Sequence, residues 1–262
     1  MQPYISDDKS HVLVFNGEIF NFLELKKKYF TNDVLKTKSD TEVLILLLIR
    51  YGINIVNEIE GMFSFVFYDI KNKKVYMVRD RFGIKPLYYK FDSKAIYFSS
   101  SFLSINKLNR SQNNIDSNSL VSFYVFGSVI GPSTMNKKIK EIPAGHIMEI
   151  NKNTNLLKRY YSLYDSIKNN PLDSSSNSYE YFKKVIAKYL TSEAKKNIML
   201  SSGIDSNIIY SLMKKQNTQT FTILFEDLSI SQKENFDKSN INKNNKIFNI
   251  STNEILNSLD EF

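Results

Sequence analysis

The 262 residues contain no cysteine, and histidine occurs only at His11 and His146. Without a thiol the chain forms no disulfide, no thiolate zinc site and no cysteine nucleophile. Two histidines exclude a histidine-rich metal site, and no metal-ligating residue is assigned. No run of 18 or more apolar residues occurs, and no membrane helix is expected. The opening Met1-Gln2-Pro3-Tyr4-Ile5-Ser6-Asp7-Asp8 lacks the basic and apolar regions of a secretory signal. A cytoplasmic protein is the default expectation.

Charge of one sign is in surplus but not gathered. The formal net charge is +8, from 35 Lys and Arg against 27 Asp and Glu. The lysines lie in short groups such as Lys26-Lys27-Lys28 and Lys137-Lys138, with no basic stripe interleaved with aromatics. A nucleic-acid partner is therefore not expected, and a solvated surface accounts for the charge. Apolar residues make up 42% of the chain and aromatics 13%, enough to bury the core of one large domain or two modest ones.

The first 150 residues read as strands and turns with one or two helices. His11–Phe15 is a short apolar strand running into the turn signal Asn16-Gly17. Phe22–Phe30 and Asp40–Tyr51 have helical spacing. The second has Ser39 or Asp40 as its N-cap, Glu42 in its first turn and Gly52 as a C-cap. Phe63–Tyr68 and Lys74–Arg79 flank a tight turn, as do Leu87–Phe91 and Ala95–Ser99, which indicates antiparallel sheets. Ser162–Ser178 reads as a linker. Beyond it, Tyr179–Leu190 is a helix, Asn197–Leu200 a strand, Ser201–Ser206 a loop, Asn207–Lys215 a helix and Thr220–Phe225 a strand. Strand, helix, strand is a βαβ unit and implies a parallel sheet.

Two places carry chemistry. In Leu200-Ser201-Ser202-Gly203-Ile204-Asp205-Ser206 a strand ends in small residues and opens a helix. Such a turn gathers backbone N–H groups and the positive helix end around one spot that suits a phosphate. The lysine of a Walker loop is missing. A serine-rich turn that only caps the helix is the competing reading. At the other place, Asn16-Gly17-Glu18 follows a strand and Ser39-Asp40 opens a helix. An amide beside a glycine N–H can form an oxyanion hole, and two carboxylates can hold an ammonium group. Standing alone, these residues also read as a hairpin turn and a helix cap.

They occur in order with other motifs: Asn16-Gly17-Glu18-Ile19-Phe20-Asn21, Ser39-Asp40-Thr41-Glu42, Gly61-Met62-Phe63-Ser64-Phe65, Arg79-Asp80-Arg81-Phe82-Gly83-Ile84-Lys85-Pro86-Leu87-Tyr88-Tyr89 and Ile142-Pro143-Ala144-Gly145-His146. Together these resemble the glutaminase domain of the glutamine-hydrolysing asparagine synthetases, a class II glutamine amidotransferase. Ser201–Ser206 resembles the PP-loop of enzymes that cleave ATP to AMP and pyrophosphate, with Ser202 in place of a glycine. The resemblance implies an α+β fold, an incomplete antiparallel αββα sandwich of the N-terminal-nucleophile hydrolase type followed by the start of a parallel α/β PP-loop domain. Its boundaries would be an amidotransferase-like domain at 1–160, a linker at 161–178 and a partial synthetase domain at 179–262.

Carried over position by position, the resemblance places Asn16 and Gly17 in an oxyanion hole for the glutamine side-chain carbonyl, and Glu18 and Asp40 on its α-ammonium. Leu200, Ser201, Ser202, Gly203, Asp205 and Ser206 would bind ATP, with magnesium. The arginines of the Arg79–Tyr89 segment would be structural. The family reaction is the ATP-dependent amidation of aspartate with ammonia drawn from glutamine. The family's nucleophile is an N-terminal cysteine, which this chain does not have. The expectation is therefore an inactive fragment of such an enzyme, with no catalytic residue of its own, in which Ser101 stands where a glutamate is usual. Two alternatives are an amidotransferase-like enzyme acting on another carboxylate and a non-catalytic protein that binds glutamine or a partner. The implied partners are glutamine, ATP and aspartate or another carboxylate, together with a homodimer mate or a complementing fragment.

Overall fold

A computed structural model describes residues 2–93, 95–108, 114–169, 177–190, 196–213, 218–225 and 245–258. The chain divides into two compact units, Met1–Asp173 and Ser174–Phe262.

The first unit is built on a six-stranded antiparallel sheet in the order β1-β2-β3-β4-β8-β9. Its strands are β1 (Tyr4–Ile5), β2 (His11–Ile19), β3 (Gly61–Asp69), β4 (Lys74–Arg79), β8 (His146–Ile150) and β9 (Asn155–Arg159). Alternation decides what each face does. Leu13, Phe15 and Ile19 of β2 and Phe63, Phe65 and Phe67 of β3 point to one face, where they form a core with two helices. These are α1 (Phe22–Tyr29) and α2 (Asp40–Tyr51), the latter supplying Val43, Leu44, Leu47 and Leu48. Ser39 caps α2 by accepting a hydrogen bond from the Thr41 N–H, and Gly52 ends it at φ 72°. Both ends lie where the sequence places them. A 3-10 turn over Ile53–Glu58 leads into β3.

The opposite face carries Val66, Met77, Met148 and Ile150, buried with Leu87 and Ile142 under a second, smaller sheet. That sheet runs β6-β5-β7, from β5 (Tyr88–Phe91), β6 (Ile96–Ser99) and β7 (Lys140–Glu141). Helix α3 (Phe102–Lys107) covers its outer side, where the Phe102 ring meets Tyr88 edge-on at 6.0 Å. The layers are thus helix, sheet, sheet, helix, the αββα order that the resemblance implies. Helices α3 and α4 (Ser117–Phe126) and the hairpin β8–β9 are additions to the sequence reading. Within the expected linker, Leu163–Asn169 forms a helix, α5.

In the second unit, α6 (Ser178–Tyr189) is capped by Asn177, whose Oδ1 accepts from the Tyr179 and Glu180 N–H groups. Three parallel strands follow in the order β10-β11-β12: β10 (Asn197–Met199), β11 (Gln219–Phe225) and β12 (Asn245–Ile250). Helix α7 (Ile204–Met213) joins the first two and packs Tyr210 and Met213 on Ile198 and Leu200. Two details differ from the sequence reading. Helix α7 starts three residues early, so Asp205 and Ser206 sit in its first turn rather than in a loop. The sheet also gains β12, followed by α8 (Thr252–Ser258). No helix among the described residues is long and apolar enough to cross a membrane.

Candidate functional site

The end of β2 and the first turn of α2 meet, and that meeting marks the candidate glutamine site. Asn16, Gly17 and Glu18 pair across the ladder with Ser64, Phe63 and Met62 of β3. The two strands approach closely here. A Cβ on Gly17, whose φ is 143°, would stand 2.0 Å from the Met62 carbonyl oxygen, and one on Gly61 would stand 2.3 Å from that of Glu18. Glycine is required at both positions by contact with backbone.

Asp40, the first residue of α2, closes the arrangement. Its Oδ2 accepts the Ile19 N–H at 3.1 Å, which ties the helix start to the strand directly after Glu18. Its Oδ1 has only hydroxyl partners, Thr41 Oγ1 at 3.3 Å and Ser39 Oγ at 3.4 Å. Contacts that long yield readily to a cation. Asn16, Gly17 and Glu18 are consecutive in β2, and Asp40 is tied to Ile19, the residue that follows them. Asn16 also lines a cleft of about 210 Å3 between the two sheets, with Val14, Ser64, Val66, Leu87 and Phe98 among its walls.

Behind the site, the Arg79-Asp80 pair is scaffolding. Asp80 is fully buried, and its carboxylate accepts four backbone N–H groups. Phe63 and Lys85 bond to Oδ2, and Phe82 and Ile84 to Oδ1, all at 3.0–3.2 Å. Arg79 spends its guanidinium on the carbonyls of Lys85, Ile142 and Gly83 and on Glu141 at 2.8 Å. Tyr160 donates to the Arg79 carbonyl at 3.0 Å, and burial, reinforced by the Asp80 charge, raises its phenol above the ordinary range. Arg81 bonds the Asn57 carbonyl and stacks over Tyr161. These contacts of Arg79 and Arg81 are thus all to groups of the first unit itself.

One positioning residue is invisible to motif reading. The side-chain amide of Gln2 pairs with Phe15, the neighbour of Asn16, and so acts as one further rung beside β2. Only the folded turn between β1 and β2 reveals that. Buried Glu42 is a second such group. Burial alone would raise its carboxyl, but the Thr37 hydroxyl and the N–H groups of Lys36 and Thr37 hold it below the usual carboxylate range. It thereby clasps the segment that delivers Ser39 and Asp40.

In the second unit the Ser201–Ser206 turn is drawn tight by its own hydroxyls. Ser201 Oγ and Ser206 Oγ lie 2.9 Å apart, and Ser201 Oγ accepts the Gly203 N–H at 3.2 Å. Asn207 Nδ2 holds the carbonyls of Ser201 and Gly203 at 3.0 and 2.8 Å. Leu200 is buried, donates its N–H to Phe221 and accepts from Thr222, so it anchors the turn through its backbone. Ser201, Ser202, Gly203 and Asp205 are exposed around the opening of α7. The arrangement offers hydroxyls and a helix start to an anion. No cluster of three or more His, Cys, Asp or Glu suited to a metal occurs among the described residues.

Residues 1–161 match the family described as glutamine amidotransferase domain. The chain belongs to that family. Residues 179–248 match a second family, described as asparagine synthase. The chain is 33% identical over 238 residues to Asparagine synthetase (glutamine-hydrolyzing) 2 of Bacillus subtilis, covering 85% of this chain and 32% of that protein. Against Asparagine synthetase B (glutamine-hydrolyzing) of Escherichia coli the identity is 28% over 218 residues, with 82% and 34% covered. The chain thus spans about a third of the length of these curated relatives. Among solved structures, the glutamine phosphoribosylpyrophosphate amidotransferase of B. subtilis is 18% identical, covering 84% of this chain and 48% of that one, at a TM-score of 0.42.

Proposed function

We propose that this polypeptide carries the glutamine-holding side and the ATP turn of an asparagine synthetase, and that it hydrolyses no glutamine by itself. The observation that supports the first half is the bond from Ile19 N–H to Asp40, which holds Asp40 beside the residue that follows Asn16-Gly17-Glu18. In this reading Asn16 and the Gly17 N–H receive the glutamine side-chain carbonyl. Glu18 and Asp40 neutralise the α-ammonium, Asp40 through the oxygen that now has only long hydroxyl contacts. The second half follows from composition: no residue of the chain is a thiol. Loss of a nucleophile costs on the order of 10⁶ in rate in one protease case.

Beyond the linker, the hydroxyls and N–H groups of Ser201–Ser206 would take the phosphates of ATP as its magnesium complex, with Asp205 facing the metal. Amidation of aspartate by the ammonia would belong to the whole enzyme, which in the curated relatives is about three times as long. Cytoplasmic location and assembly with a complementing fragment complete the reading.

The test is calorimetry and ammonia release on the purified chain. Saturable glutamine binding that falls at least tenfold in Glu18→Gln and Asp40→Asn, with no ammonia above background, is the expected result. Asp40→Asn keeps an acceptor for Ile19, so the fold is spared. Steady ammonia release, or binding indifferent to both substitutions, would overturn the proposal.

A further inference from the structure

Between β10 and α7 the backbone carbonyls of Ser201 and Gly203 face the first turn of the helix, and two side chains there reach both of them. Ser206 Oγ lies 3.2 Å from the Ser201 oxygen and 3.1 Å from that of Gly203. Asn207 Nδ2 lies 3.0 and 2.8 Å from the same two atoms. Both carbonyls are acceptors only, so the carboxamide presents its nitrogen to them and not its oxygen.

The proton count separates the two side chains. A hydroxyl carries one proton and serves one carbonyl at a time, whereas a carboxamide nitrogen carries two and serves both. The Asn207 fork therefore satisfies the two carbonyls by itself, and at the shorter distances. Ser206 keeps a lighter duty. Its oxygen accepts the Ser201 N–H at 3.2 Å and shares a proton with Ser201 Oγ at 2.9 Å. If the Ser206 proton turns outward, neither carbonyl loses its donor. Without the Asn207 amide, that one proton would be the only side-chain donor for both among the described residues.

We propose that Asn207 is a positioning residue for the ATP turn: its amide clamps the Ser201 and Gly203 carbonyls and so frees the Ser206 hydroxyl to donate to a phosphate oxygen. The inference rests on the reading of Ser201–Ser206 as that turn. Asn207 spends both amide protons inside the turn and itself touches no phosphate. Its effect passes through Ser206, which a purely structural role would not require.

The experiment titrates the full chain with magnesium pyrophosphate and with ATP and magnesium, in the parent, Asn207→Ala, Ser206→Ala and the double variant. Amide hydrogen exchange is followed on the same proteins without ligand. Saturable binding by the parent is expected, with at least a tenfold loss of affinity in each single variant. The double variant should lose no more than Ser206→Ala alone, because both changes act through one hydroxyl. The Gly203 amide, bonded to Ser201 Oγ, should exchange at least fivefold faster in Asn207→Ala and within twofold of the parent in Ser206→Ala. Unchanged exchange at the Leu200 amide, bonded to Phe221, shows that the fold survives. Parent-like binding by Asn207→Ala, or losses that multiply in the double variant, would overturn the role of Asn207 while leaving the ATP reading in place. Gly203 exchange opened equally by Ser206→Ala would overturn the clamp. No binding by the parent would overturn the ATP reading and this role together.

Discussion

The side-chain amide of Gln2 makes both hydrogen bonds of a strand pair with Phe15: its Oε1 accepts the Phe15 N–H at 2.8 Å and its Nε2 donates to the Phe15 carbonyl at 2.6 Å. A side chain here stands in for a backbone rung that the two-residue β1 is too short to supply. Phe15 immediately precedes Asn16, so this pairing also steadies the oxyanion-hole candidate. Gln2→Ala removes both bonds and should cost about 1–2 kcal/mol. Amide exchange at Phe15 should rise together with that at its neighbours in β2. Unchanged exchange at Phe15 would show that water replaces the amide without loss.

Gly17 faces a carbonyl that no rotamer change can move. An added Cβ at 2.0 Å from the Met62 oxygen forces β2 away from β3, and the φ of 143° disfavours any side chain as well. Gly17→Ala should destabilise the first unit by about 3 kcal/mol or more. Gly52 has a positive φ but open space around it, so Gly52→Ala should cost only about 1 kcal/mol. Urea midpoints of the two variants check the contrast, and equal losses would contradict the close approach.

Asp80 is held by four backbone donors with no exposure to water. In Asp80→Asn one oxygen becomes an amide donor that faces two N–H groups. A loss of about 3 kcal/mol is expected. The Phe82–Lys85 turn should become protease-sensitive first, and limited proteolysis followed by mass analysis would reveal it. A variant as resistant as the parent would mean that the turn holds its shape without the carboxylate.

Glu42 gives the protein a pH dependence with a definite sign. Its folded carboxyl titrates below the usual range, because the Thr37 and Lys36 donors outweigh its burial. Its contribution is therefore fully present above the ordinary carboxylate range and is lost as pH falls through the folded value. Glu42→Gln should be less stable than the parent at pH 7 by about 1–2 kcal/mol, and the gap should shrink toward pH 3. Denaturation midpoints at the two pH values decide it. A gap that widens in acid would reverse the sign.

Much of the fold was legible in the sequence because its signals are local. Helix α2 carries a Ser39 cap, an apolar face and a closing Gly52 within a few residues of one another. The β3–β4 hairpin alternates over a turn of four residues. Helices α3 and α4 were not legible. α3 is only six residues long, and α4, with Val121, Tyr124, Val125 and Phe126 exposed, shows no amphipathic contrast to mark it. The hairpin β8–β9 has no sequence signal at β9, because every residue of that strand is exposed and it has no buried face to pattern.

The candidate site shows the same division. The sequence by itself determined which residues to watch, since Asn16-Gly17-Glu18 and Ser39-Asp40 stand among motifs in a fixed order. It also determined that no thiol is available. Only the tertiary structure decided that Asp40 binds the Ile19 N–H, 21 positions away, and that Gly17 and Gly61 bring two strands into contact. It alone decided that β6 pairs only with β5 among the described residues and lines a cleft floored by β2 and β3. Helices and turns are chosen by neighbours a few residues apart, and those neighbours are written in order along the chain. Strand partners and buried carboxylates are chosen by which distant groups must satisfy each other once water is excluded, a choice made only when the chain is folded.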